Sequence, residues 1–210
     1  MRLLKNLTLT ICLTLAVLLG SAGTSWGADY DKGVAAFQSG DYATALREWR
    51  PLAEKGDADA QNNLGFMYRN GRGVPQNDKT ALKWWTLAAE QGIANAQFNL
   101  GWMYEQGQGV LQDYKTGVKW LILAAEQGDA DAQFALGQMY RNGQGVPQDK
   151  VYAYMWMHIA ASISRDNDDE VSTNVASTIR DIVAKKMIPT QIEKAQDLAR
   201  ECVRKKYKEC

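Results

Sequence analysis

The sequence predicts an all-α chain, an α-solenoid of antiparallel helix pairs stacked in series. Three observations predict it. A 36-residue period runs through the middle of the chain in three gap-free blocks. Each block carries an apolar stripe at helical spacing, broken once by a short glycine turn. The periodic region is flanked by one shortened unit and by two further helical patterns, which would cover the faces that terminal repeats leave bare.

Composition sets the bounds. The 210 residues are 46% hydrophobic and 23% charged, ordinary values for a globular protein. Basic and acidic residues balance at 24 each, so no cationic excess favours nucleic-acid binding. Three cysteines and one histidine leave almost nothing for a zinc or haem site, and no cofactor is expected.

Residues 1–28 read as a secretory signal peptide. Arg2 and Lys5 precede an apolar run from Leu7 to Gly20, and small residues follow. The run is about 14 residues, short of the roughly 20 that span a bilayer. Cleavage is expected near Gly27 or Ala28, which places the mature protein in the periplasm or outside the cell, with no stable membrane insertion. The mature chain would keep 22 basic and 24 acidic residues. It would also keep Cys202 and Cys210 in an oxidising compartment, a possible disulfide. Eight residues of unbroken helix would hold them about 12 Å apart along the axis. A bridge needs Cα atoms within about 7 Å. Either the helix ends near residues 203–206 or the two thiols do not pair.

Residues 29–56 form the shortened unit, an N-terminal capping helix pair. Gly56 lies 36 residues before Gly92, and Trp49 lies 36 before Trp85. The unit lacks the G-x-G-V turn of the later blocks. Repeats 1, 2 and 3 then occupy 57–92, 93–128 and 129–164. Shared positions are Leu64-Gly65, Leu100-Gly101 and Leu136-Gly137, the tyrosines 68, 104 and 140, and the turns opening at Gly71, Gly107 and Gly143. Trp84, Trp120 and Trp156 follow, with Ala-Ala pairs from Ala88, Ala124 and Ala160.

Each repeat reads as two helices, A and B. At 100° per residue, Ala60, Gln61, Met67 and Tyr68 fall within about 60° of Leu64 and form the core stripe. Gly65 beside them admits a neighbouring helix closely. Asn77, Asp113 and Asp149 are placed to cap the B helices, and Asp57 and Asp129 the A helices. Ile93 cannot cap, so that junction should be weaker. At least two of the three periodic tryptophans are expected in the core. Residues 165–210 supply C-terminal capping helices, about 169–186 and 189–205, with Pro189 in the first turn of the last.

The pattern A-x-x-x-L-G-x-x-Y-x-x-G-x-G-V…W-x-x-x-A-A-x-x-G resembles the Sel-1-like repeat, a longer relative of the tetratricopeptide repeat. The resemblance covers residues 57–161 closely and 29–56 loosely. It implies a right-handed α-solenoid whose concave face binds other proteins, and exported bacterial members act as adaptors at the cell envelope. One cysteine-rich branch is described as penicillin-binding or β-lactamase-like, which makes a β-lactamase-like or peptidoglycan-modifying enzyme the alternative. That branch pairs cysteines within every repeat; this sequence has none there.

Catalytic constellations are missing from the sequence. His158 sits on a B helix with no partner that spacing identifies. Lys115-Thr116-Gly117 matches a β-lactamase strand motif, yet no serine is followed three residues later by lysine, and the position is a helix start. Asp166, Asp168 and Glu170 alternate like calcium ligands but lack the glycine and late glutamate of such a loop. The A helices instead present a second face opposite the core stripe. It carries Asn62, Phe66 and Arg69, then Phe98, Trp102 and Glu105, then Phe134, Gln138 and Arg141. In the related tetratricopeptide fold this face lines the groove, and aromatics with arginine are the usual anchors of protein interfaces. The expected partner is an envelope protein or peptide, with self-association through the C-terminal helix or Cys210 as a further possibility.

Overall fold

The structure, a computed structural model, describes residues 28–166 and 170–210, and no side chain within 163–173. The signal-segment expectation for 1–27 and the residue Asp168 lie outside the described residues.

Ten α-helices and no strand occur among the described residues. They are α1 (Tyr30–Gln38), α2 (Tyr42–Glu54), α3 (Ala58–Asn70), α4 (Asp78–Glu90), α5 (Ala94–Gln106), α6 (Tyr114–Ala125), α7 (Ala130–Asn142), α8 (Lys150–Asp166), α9 (Glu170–Ala184) and α10 (Pro189–Arg204). Each helix packs on its sequence neighbour up to α9, while α9 and α10 both lie on α8. The A helices α3 and α5 also touch.

Local chemistry sets the boundaries. Asp57 and Asp129 accept hydrogen bonds from the Ala60 and Ala132 amides, and Asn77, Asp113 and Asp149 cap the B helices in the same way. Ile93 makes no such bond. Gly71, Gly107 and Gly143 end the A helices in the left-handed conformation that glycine adopts without a Cβ clash.

Within a repeat, the A and B helices meet at a missing side chain. A Cβ on Gly65 would lie 2.5 Å from the Trp85 indole, and one on Gly137 2.7 Å from Met157 Cγ. Leu121 takes the same place against Gly101. The fully enclosed large residue is therefore the one after the periodic tryptophan. Trp156 is buried, but Trp84 and Trp120 are only half-buried. That corrects the expectation of two: one residue further along the helix, a rotation of 100°, points into the glycine notch. Tyr68 is likewise only half-buried; its hydroxyl accepts a hydrogen bond from Arg50.

Between repeats, a buried glutamine forms a rung. Gln61, Gln97 and Gln133 donate to the carbonyls of Ala53, Ala89 and Ala125 near the ends of the preceding B-type helices, and each carbonyl also accepts from the glycine amide three residues on. Gln91 and Gln127 then donate to Gln61 and Gln97 at 2.8 Å. Residue 163 is Ile where a third such glutamine would stand, and Gln133 Oε1 has no hydrogen-bond partner.

The ends are closed differently. At the N-terminus, the nearly buried Glu48 carboxylate accepts from the Asp29 amide and pairs with Lys32 at 2.9 Å and Arg47 at 3.2 Å. The Lys32 hydrogen bond leads in holding this carboxyl below the usual glutamate range. At the C-terminus, α10 stops at Arg204 and the chain reverses through left-handed Lys206 and Tyr207. Cys202 and Cys210 thereby come to a Cα separation of 5.3 Å and form a disulfide. This settles the open alternative in favour of an ended helix, and it engages Cys210 within the chain rather than in a link between chains.

Two stability tests follow from this packing. Gly65→Ala forces a methyl into the Trp85 indole and should cost roughly 1–3 kcal/mol in urea unfolding. Gln97→Met removes one buried and one half-buried hydrogen bond and should cost roughly 1–3 kcal/mol, more than Gln133→Met, which removes one. Equal losses at the two glutamines would contradict the rung.

Candidate protein-binding face

Helical periodicity brings one residue of every A helix turn onto the face opposite the core. The structure divides this face into three stretches.

At the N-terminal end, Phe37 meets Phe66 edge-on at 5.8 Å between ring centroids and Trp49 at 5.6 Å. These three rings and the carboxamides of Asn62, Asn63, Asn95 and Asn99 line an open depression of about 260 Å³. Among the described residues, no charged one lines it. Phe66 is 44% exposed, whereas Trp49 is buried as its floor. Asn63 Nδ2 donates to the Tyr30 hydroxyl, and Asn99 Nδ2 to the Asn95 carbonyl. Asn62 Oδ1 is buried with no hydrogen-bond partner.

In the middle, Trp102 is half-buried against the core around Leu100 and Met103. The Arg69 guanidinium lies 5.1 Å from its ring centroid and 3.6 Å from the Asp78 carboxylate. A cation over an indole contributes about 0.5–1 kcal/mol at such a partly exposed site, and here it couples repeat 1 to repeat 2. Phe98 packs inward on the cluster around Leu121. Glu105, half-buried, has no ion pair among the described residues, and burial pushes its carboxyl above the usual glutamate range.

At the C-terminal end, Phe134 packs on the small residues Ala160, Ala161 and Ala176 of α8 and α9. Gln138 Oε1 is buried without a hydrogen-bond partner, and Arg141 Nε donates to Asn142. The nine face residues thus do not form one continuous lining. Asn62 and Phe66 share the depression, Arg69 and Trp102 pair with each other, and Phe98 and Phe134 turn into helix contacts.

Phe37, Asn63 and Asn99 belong to the depression but not to the face assigned from the helical wheel. Their signal lies in the capping unit. Gly33 precedes Trp49 by 16 residues and Gly65 precedes Trp85 by 20, so the missing G-x-G-V accounts for the four-residue difference. A Cβ on Gly33 would lie 2.3 Å from the Trp49 indole, the same notch as at Gly65. His158, elsewhere on α8, stacks on Tyr154 at 5.9 Å. Among the described residues no group of three or more potential ligands could hold a metal, and no helix is long and apolar enough to cross a membrane.

Serial helix hairpins, closed by glycine notches and joined by glutamine rungs, define a helical-repeat solenoid. The Sel1 repeat matches residues 58–93, 94–129 and 130–163, just over half of the chain, and the chain belongs to the Sel1 repeat family. Sel1 repeats generally serve as scaffolds for protein–protein contact. The chain is similar to the crystal structure of a Sel1 repeat protein from Oxalobacter formigenes, at 29% identity and TM-score 0.61, over 83% of this chain and 75% of that one. It is also similar to a protective antigen of uropathogenic Escherichia coli that displays an SLR fold, at 29% identity and TM-score 0.50. That match covers 84% of this chain and 46% of the other. No curated protein matches.

Glu105 gives a pH test. A carboxyl raised in the folded state is penalised once ionised, so its effect is absent below the unfolded value, about 4.3, and grows as pH rises through the folded one. Glu105→Gln should raise the melting temperature at pH 7 and leave it unchanged near pH 3. A lower melting temperature at pH 7 would show an unrecognised partner for the carboxylate.

Proposed function

We propose that the protein is a non-enzymatic scaffold of the bacterial cell envelope, exported by its N-terminal signal segment, whose A-helix face holds a segment of a protein partner. The observation that carries this reading is the exposed Phe66 ring in one depression with the unpartnered Asn62 amide oxygen, while the Arg69–Trp102 pair occupies the next stretch of the same face. Exposed aromatics next to arginine are the residues that dominate binding energy at interfaces. The family's general use as a scaffold supports it. The Leu7–Gly20 run and the small residues after it support export. The Cys202–Cys210 bridge suits an oxidising compartment.

The tagged protein, expressed in a bacterial host, should be recovered from the periplasm with a new N-terminus at Ala28 or Asp29. Phe66→Ala should lower partner capture at least tenfold while far-ultraviolet circular dichroism stays unchanged, the behaviour of an interface anchor. Undiminished capture by this variant, or a cytoplasmic product that keeps its leader, contradicts the corresponding half of the reading. Nitrocefin turnover that disappears on substitution of one polar residue would contradict the absence of catalysis.

A further inference from the structure

We propose that the depression between α1, α3 and α5 receives an arginine side chain, presented on an extended segment of the partner protein. This rests on the protein-binding reading above and names the chemistry that the face selects.

The repeats themselves supply the reason. Trp49 Nε1 donates to the Tyr30 carbonyl at 3.1 Å, as Trp85 Nε1 donates to the Asn62 carbonyl at 3.2 Å. Together with the matching notches at Gly33 and Gly65, this sets α1 in register with α3 at an offset of 32 residues. Phe37 then stands where the next repeat has Arg69, and Phe66 where it has Trp102. In the second repeat the chain covers the aromatic face with its own guanidinium. In the first it offers the uncharged ring of Phe37, set at 75° to Phe66, and the Phe66 ring stays 44% exposed. A guanidinium from outside completes at Phe66 what Arg69 completes at Trp102.

The polar groups around the ring can receive a donor. Asn63 and Asn99 each commit an amide hydrogen to a neighbour, and the buried Asn62 oxygen has no partner. The Asn62 oxygen therefore keeps its accepting capacity for an N–H group from outside, and the second amide hydrogens of Asn63 and Asn99 stay available as donors. Nearby cations do not compete: Lys32 and Arg47 are both held by Glu48. Burial raises the Tyr30 hydroxyl's pKa, the hydrogen bond from Asn63 lowers it, and Asp59, Asp57 and Asp31 raise it through space, so acidic groups act on the hydroxyl to which Asn63 donates. A guanidinium joins five N–H donors to a flat face that stacks on an aromatic ring. A neutral ligand would use the ring and the amides but gain nothing from the acids.

The test uses isotopically labelled protein and a short Gly-Ser peptide with one central arginine, compared with its citrulline and lysine counterparts. The arginine peptide should shift the side-chain amide signals of Asn62, Asn63, Asn95 and Asn99 saturably, and added salt should weaken it. Citrulline, neutral and nearly isosteric, should bind about tenfold more weakly, and lysine should fall between. Phe66→Ala should weaken the arginine peptide about threefold, and Phe66→Trp should tighten it. The proposal is overturned if citrulline or lysine binds as tightly as arginine, if Phe66→Ala has no effect, or if the four asparagine signals do not move. Partner capture that survives any of these failures but is lost on Trp102→Ala would sink the arginine site and leave the scaffold reading standing.

Discussion

A side chain that is absent governs this structure. Gly65, Gly101 and Gly137 leave notches in successive A helices, and Trp85, Leu121 and Met157 fill them from the B helices. The occupants differ in shape, but each is large and fully enclosed. A Cβ at any of the three glycines would lie 2.5–2.8 Å from the occupant, far inside van der Waals contact. Close approach of the helix axes gives the Ala-Ala pairs of the B helices a surface to bury against. Without the notch the hairpin splays, and the remaining contacts in the repeat lose their geometry.

Stacking depends on a second layer of contacts that are polar and local. The glutamine rungs add a second donor to carbonyls at buried helix ends, and they join each hairpin only to its neighbour. The Arg69–Trp102 contact does the same on the outer face. This is the nearest-neighbour coupling of a quasi-one-dimensional protein, and it explains why the two ends are built from different material. Glu48 closes the first hairpin with ion pairs, and the last repeat is covered by α9, α10 and a disulfide-closed turn.

The repeat architecture was legible because its determinants are local in sequence: glycine turns, capping aspartates and a 3.6-residue apolar stripe. The fully enclosed B-helix residue was misplaced by one position, because periodic tryptophans are conspicuous and the glycine notch they flank becomes visible only when two helices meet. The glutamine rung was hidden by residue type, since Gln61 lies in the core stripe yet pairs with a carbonyl eight residues back and an amide thirty ahead. The face residues were legible as a helical surface but not as a site. Phe98 and Phe134 share a wheel position with Asn62, yet neighbouring helices decide that Asn62 borders the depression while the two phenylalanines pack into helix contacts. Phe37 was missed because the capping unit runs four residues short, which shifts its register against the repeats.

Removal of one whole repeat tests the serial account most directly. Deleting residues 93–128 joins Gly92 to Asp129, a junction of the same kind as Gly56 to Asp57; it removes the Gly101 notch together with its occupant Leu121 and leaves the Gly65 and Gly137 notches and both end caps in place. The account predicts a cooperatively folded, fully helical protein, less stable than the parent and shorter in solution scattering by the length of one hairpin. Deleting four residues fewer should leave the remaining helices out of register and the chain unfolded or aggregated. A 36-residue deletion that fails to fold, or a 32-residue deletion that folds as well, would contradict it.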